Sequence, residues 1–424
     1  MKLFQQMLVA GASLGFIAPI AVQASDIVNL EEMDSYALSQ KRSSRLDSKS
    51  FINEVSEDIA KLKGRVDGLE ARQNQFEAGG FSDTTTMDGK AVFTLMGTDH
   101  NLSAATKDDS VTAAYMLQMN LNTSFTGDDN LYIRLKSGNH AGNSVTKTYG
   151  TYLSSGNGNA DVLKVDKIWY EFPVGDKNTF WIGPKIENYY MHGTTPSIYK
   201  PVTKQFTLGG NGEAYGASTN SGVGWAYKAD NGFAVSSNVV SQQNGTTNGF
   251  ITNESATSWA NQVGYTTDQW SVSAIVNSKT NGWSDTYYHT ANHAPTGNDS
   301  FTSIGLRSWW RPADTGTKTP SISLGFDSTS YDGAPAASDS SSAWFAGLTW
   351  EDMFQADDRI GIAFGQPTTN ENESTVDPFA YELYYSFKTN ESVTITPAIF
   401  GGSDRNGTSR DDVFGAVLET TLKF

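Results

Sequence analysis

"PFAYELYYSFKT", Pro378 to Thr389, presents two unlike faces when it is read at every second residue. Phe379, Tyr381, Leu383, Tyr385 and Phe387 are all apolar or aromatic, whereas the residues between them, Ala380, Glu382, Tyr384, Ser386 and Lys388, are mixed. A period of two is the mark of a strand with different surroundings on its two sides. After "NES" the pattern resumes in "VTITPAIF", with Val393, Ile395, Pro397 and Ile399 set against Thr394, Thr396 and Ala398. Pro397 cannot donate a ladder hydrogen bond and weakens that strand. The chain closes on "FGAVLETTLKF", where Phe414, Ala416, Leu418, Thr420, Leu422 and Phe424 share one face. A soluble sandwich alternates in the same way as a transmembrane barrel, so alternation alone leaves both open.

The remaining composition narrows the choice. The chain has 424 residues, 38% hydrophobic, with 40 Gly and no Cys, and its mean hydropathy is -0.41. Past the N-terminus no run approaches the roughly eighteen apolar residues of a membrane helix. A β-barrel survives that test, because only alternate residues of its strands meet lipid. The lack of cysteine excludes a disulfide scaffold and thiolate metal sites. A net charge of -16 argues against nucleic acid as a partner. At the start, "MKLFQQMLVAGASLGFIAPIAVQASD" combines Lys2, an apolar run from Met7 to Val22, and Val22-Gln23-Ala24. This reads as a signal peptide, residues 1–24, cleaved after Ala24, with Pro19 breaking the run against a signal anchor.

Three further segments follow. Residues 25–50 are a polar periplasmic leader without periodicity. In residues 51–78, Ile52, Val55, Ile59, Leu62, Val66, Leu69, Gln73 and Phe76 keep a strict 3-4-3-4 spacing, the seam of a coiled coil. No matching helix lies nearby in sequence, which favours association with other copies. From residue 82 to 424 the period is two, after a glycine stop at Gly79-Gly80. About sixteen antiparallel strands can be drawn, separated alternately by short turns and by long polar loops. That rhythm is the topology of an outer-membrane barrel, whose even strand number returns both ends to the periplasm. Within 214–229, Asn220-Ser221 is read as strand interior, since a turn there would make the count odd.

The face assignment places Arg134, Lys136, Lys167, Glu171, Lys185, Glu187, Arg307 and Arg311 toward the lumen. Opposed charges on two parts of a barrel wall set a transverse field that filters polar solutes. The connector 188–213 is expected to fold inward and bring Tyr189, Tyr190, Tyr199, Lys200 and Lys204 near the axis. No catalytic, metal or cofactor site is legible. The five His are scattered, and "HTANH" lies in a loop where four-residue spacing aligns nothing. "GGNGEAYG" opens no helix and is no phosphate loop.

"AKLKGRVDGLEARQNQFEA" running into "FSDTTTMDGKAVFTLMG", behind "MKLFQQMLVAGASLG" and ahead of a terminal "TTLKF", resembles the cyanobacterial outer-membrane porins of the carbohydrate-selective OprB type, often labelled iron-uptake porins. The resemblance implies a homotrimer of sixteen-stranded pores in outer-membrane lipid, passing small polar solutes and inorganic ions, with no enzymatic step. A channel specific for carbohydrates or iron species is the alternative within transport, and a protein tethering the outer membrane to the cell wall is the alternative outside it. Members of that group carry a wall-binding domain between signal and coiled coil, and residues 25–50 are too few for one. Peptidoglycan attachment is therefore not expected. Phe424 is expected to serve both as rim anchor and as the signal read during barrel assembly.

Overall fold

The computed structural model describes residues 84–100, 110–147, 149–210, 213–243, 249–283, 285, 300–316, 318–332, 339–371, 377–405 and 412–424, together with Leu62, Lys63, Arg65 and Val66. Those four are helical, and the seam residues Leu62 and Val66 are exposed. The other seam positions, Ile52, Val55, Ile59, Leu69, Gln73 and Phe76, lie outside the described residues, as do residues 1–50, where a signal peptide and leader are expected.

Sixteen strands follow: β1 (Thr85–His100), β2 (Thr112–Thr123), β3 (Asn130–Gly138), β4 (Lys164–Val174), β5 (Asn178–Ile186), β6 (Asn220–Lys228), β7 (Phe233–Ser241) and β8 (Thr257–Thr266) form the first half. The second half is β9 (Trp270–Thr280), β10 (Ser300–Trp310), β11 (Ser321–Asp332), β12 (Ser340–Glu351), β13 (Arg359–Asn370), β14 (Phe379–Asn390), β15 (Val393–Ser403) and β16 (Val413–Lys423). Each pairs antiparallel with its sequence neighbours, and β1 pairs with β16, which closes the barrel. The strand expected from residue 214 begins instead at Asn220. Ala214 and Tyr215 belong to the preceding connector and are fully buried, so Asn220-Ser221 opens a strand and the count stays even.

The two faces separate as a membrane barrel requires. Phe379, Tyr381 and Leu383 are exposed, while Ala380, Glu382 and Tyr384 between them are buried. Trp259, Val272, Ile304, Leu306 and Leu324 are likewise exposed on strands whose inward residues include Ser258, Gln262, Ser273, Asn277, Ser303 and Ser323. Apolar side chains outward and polar ones inward reverse the order of a soluble sandwich. Rings gather where strands meet the short turns: Tyr170, Phe172 and Phe180 stack with centroids 5.4 and 5.8 Å apart, and Tyr385 stacks on Phe387 at 5.3 Å. Such a girdle suits the membrane–water interface. Two of those turns share one device. Asp129 accepts the backbone N–H of Phe125 and Thr126 and the Tyr170 hydroxyl. Asp358 accepts those of Met353, Phe354 and Gln355 and the Tyr385 hydroxyl.

Candidate functional site

The connector from Glu187 to Thr219 enters the barrel and runs along its wall. Register shifts in the β3–β4, β4–β5 and β5–β6 pairs bend these strands where the connector leaves, a usual role of bulges. Asn188 Nδ2 donates to Asn238 Oδ1 on β7 at 2.8 Å and to the Ser258 carbonyl on β8 at 3.1 Å. Farther on, the Thr195 carbonyl accepts from Trp309 Nε1 of β10, and Ile198 N donates to Ser323 Oγ of β11. The crossing ends at β14, where the Glu382 carboxylate takes the Tyr199 hydroxyl, Val202 N, Thr203 N and Thr203 Oγ1.

The return begins at Gly209 and Gly210, with φ of 78° and 103°. A Cβ on Gly209 would lie 2.4 Å from Arg307 Cδ, and one on Gly210 would lie 2.2 Å from Phe345 Cβ, so glycine lets the chain lie close against the wall at these two positions. The chain then passes β9, where Asn277 Nδ2 donates to the Ala214 carbonyl.

A second inward connector, not anticipated from the sequence, lies between β3 and β4. His140 Nε2 is 2.9 Å from Thr94 Oγ1 on β1. The Tyr149 hydroxyl donates to the Ser403 carbonyl on β15, and Ser155 Oγ donates to Glu419 on β16. Leu153 bridges Thr203 of the longer connector, and Gly150 N donates to Gln205 Oε1 at 2.6 Å. Arg405 Nε, donating to the Tyr149 carbonyl at 3.0 Å, braces it from beyond β15.

The two connectors seal one part of the inner wall and leave another open. On β7 to β14 the inward Ser236, Asn238, Gln262, Asn277, Ser303 and Glu382 are all buried. On β1 to β3 the inward Lys90, Gln118, Asn120, Arg134 and Lys136 are only half-buried. The open part of the inner wall is therefore the patch of β1 to β3 that carries these residues.

Around it the expected charges take distinct places. Arg134 Nε donates to Asp166 Oδ2 at 2.6 Å and Nη1 to the Tyr190 hydroxyl at 3.1 Å. Lys167 pairs with Glu187, which also accepts from Thr219 Oγ1 at 2.6 Å. Glu171 accepts Trp181 Nε1 at 2.8 Å. Tyr132, Trp169, Tyr190 and Tyr189 follow one another with centroid spacings of 4.3, 4.6 and 4.3 Å. Lys204 Nζ lies 5.2 Å from the centre of the Tyr152 ring; burial pushes its ammonium down, the neighbouring Glu187 opposing that and Arg134 adding to it.

Other expected residues stand elsewhere. Tyr199 is buried by its hold on Glu382, and Lys200 beside it is exposed. Lys185 is exposed, faces Ile168 across the β4–β5 pair, and donates to the Val165 carbonyl. Arg311 sits in the turn after β10, its Nε on the Asp268 carbonyl at 2.6 Å. Arg307 does point inward, but the connector covers it: its side chain is 1% exposed, pairs with Asp327 at 2.8 Å, and donates to the Leu208 carbonyl at 2.7 Å. It anchors the loop. Phe424 lies at the rim, exposed, its backbone paired with Gly89.

A closed, lipid-facing sixteen-stranded barrel narrowed from within by its own loops is an outer-membrane channel of the porin type. The sequence matches the family described as carbohydrate-selective porin, OprB family, over residues 45–424, and the chain belongs to that family. An uncharacterized protein of Nostoc is 27% identical over 421 residues, a match spanning 88% of this chain and 71% of that protein. Among solved structures, the high-pH structure of Pseudomonas putida OprB superposes with a TM-score of 0.59 at 12% identity, covering 84% of this chain and 96% of that one. The trimer form of Vibrio cholerae OmpT superposes with a TM-score of 0.52 at 12% identity, covering 80% and 99%.

Proposed function

We propose that the protein is a passive, water-filled pore for small polar solutes and inorganic ions, exported by its signal peptide and working as a homotrimer. The observation that carries this reading is the one-sided sealing of the inner wall, which leaves the inward Lys90, Gln118, Asn120, Arg134 and Lys136 of β1 to β3 only half-buried. Selection then follows from size and from the field of the lining charges, with no chemical step. Purified protein in planar bilayers is expected to give ohmic, voltage-stable steps; a barrel that passes no current would sink the reading.

Assembly as a homotrimer is supported by the exposed seam residues Leu62 and Val66 and by the 3-4 spacing around them. Removal of residues 51–78 is expected to yield barrels that run as monomers by light scattering.

A second reading, passage of carbohydrates, draws on the family description and on the run of rings from Tyr132 to Tyr189 beside the open route. Aromatic faces take the apolar side of a sugar ring. Saturable reduction of the ion current by a sugar would favour it over general diffusion.

A further inference from the structure

We propose that the lumen wall of β1 to β4 holds a subsite for inorganic oxyanions such as phosphate, centred on Lys90 and Lys136. This rests on the open-pore reading above.

Following the ladder pairs across the wall gives one row: Lys423 on β16 faces Lys90 on β1, Lys90 faces Gln118 on β2, Gln118 faces Lys136 on β3, and Lys136 faces Lys164 on β4. Paired residues share a face, so four lysines and one amide form a continuous inward line. Because barrel strands are staggered, the line climbs from the turn-side rim, where Lys423 is exposed, to the loop side, where Lys164 is exposed. Lys90 and Lys136 stand in its middle, two strands and so about 10 Å apart at the backbone, close enough for two long side chains to grip one small anion.

Neither ammonium has a hydrogen bond or an ion pair among the described residues. The acids nearby are already engaged: Asp166 with Arg134, Glu187 with Lys167, and Asp88 with Asn120 and Asn122. Glu419, the acid acting on Lys90, accepts from Ser155. More positive charge faces the row, since Arg134 acts on Lys90 and Lys204 of the crossing connector acts on Lys136. Like charges held together in a narrow, partly desolvated passage repel one another, and a multivalent anion between them relieves that repulsion. Chloride, with one charge, gains less than phosphate. The protein's net charge of -16 would favour cations if selection followed the whole surface; a lumen with low-dielectric walls follows its own lining.

The experiment uses the full chain in planar bilayers. In a potassium chloride gradient the reversal potential is expected on the anion side, and millimolar inorganic phosphate added to one bath is expected to block part of the chloride current. Lys90→Gln with Lys136→Gln is expected to lose that block and to move the reversal potential toward the cation side, with the folded, heat-modifiable band retained on gels. A conducting wild-type pore that is cation-selective, or one that phosphate leaves unblocked, overturns the subsite while leaving the pore standing. Block that persists in the doubly substituted pore overturns it too. A barrel without current overturns the pore and the subsite together.

Discussion

Thr203 N donates to Glu382 Oε2 at 2.7 Å, and this joins the far end of the crossing connector to β14, 179 residues later in the chain. The same carboxylate serves Val202 N and the Tyr199 hydroxyl at 3.1 and 2.8 Å. Glu382→Ala leaves four buried donors, the Tyr199 hydroxyl, Val202 N, Thr203 N and Thr203 Oγ1, without this acceptor, at about 1–3 kcal/mol each, and is expected to free the connector while the barrel stays closed. Single-channel records should show larger and noisier steps than wild type. Steps of unchanged size and noise would mean that the other wall contacts hold the loop by themselves.

The Arg307–Asp327 pair separates anchoring from charge. Both side chains are almost wholly buried, so Arg307→Met strands a carboxylate and is expected to cost roughly 3–5 kcal/mol. Adding Asp327→Leu removes the stranded charge and should recover most of that, but not the lost grip on the Leu208 carbonyl. Urea midpoints for loss of the folded gel band should therefore rank wild type, double variant, single variant. Conductance noise should stay raised in both.

His192 makes the docked connector sensitive to acid. Its ring is buried in the connector, with Nδ1 3.1 Å from Ser236 Oγ and an edge on Tyr215, and burial pushes the imidazole down to about 3. Once displaced into water it returns to about 6.5. Between those values the displaced loop binds a proton that the docked loop does not. Docking is thus strongest above about pH 6.5 and weakens as pH falls toward 3, by at most about 1.4 kcal/mol per pH unit. Current noise recorded from pH 7 to 4 should grow, and His192→Gln should flatten the trend.

Period two and the short-and-long rhythm of connectors are enough to read a sixteen-stranded membrane barrel, because each repeats along the chain. Which inward charge meets water was not legible, since that depends on where two loops come to rest. Arg307 and Arg134 look alike in sequence, yet one is sealed beneath Leu208 and the other half-open beside Tyr190. Glu382, flanked by Ala380, Tyr381, Leu383 and Tyr384, is the visible sign of a loop anchor. The β3–β4 connector gave fainter notice, in Tyr149, Tyr152 and Leu153 within a stretch otherwise rich in Gly, Ser and Asn. Lys185 moved off the lumen face because the register slips between the β4–β5 pairs on either side of Gly183, and a one-residue slip reverses every later side chain.

That displacement gives a control. Lys185→Gln and Arg311→Gln remove as much charge as the pair of lysine substitutions in the lumen, but from sites exposed outside the open route. Their reversal potentials are expected to match wild type. A shift as large as that from Lys90 and Lys136 would mean that bulk charge, and not the lining, sets selectivity.

The barrel closes at Phe424, whose carbonyl accepts Gly89 N at 2.8 Å and whose N–H donates back to the Gly89 carbonyl at 3.1 Å. Its ring lies over the same glycine, so that a Cβ there would come within 2.6 Å of Cζ. Two roles for the terminal ring, packing at the seam and recognition during assembly, predict different outcomes for two variants. Deleting Phe424 removes the ring and its two ladder bonds, whereas Gly89→Ala pushes the ring aside but leaves an aromatic terminus in alternation. If the terminus is read during assembly, deletion lowers the amount of folded barrel in the outer membrane, while Gly89→Ala assembles in normal amounts and only unfolds at lower urea. Equal losses from both variants, measured by heat-modifiable mobility in outer-membrane fractions, would reduce Phe424 to a packing residue.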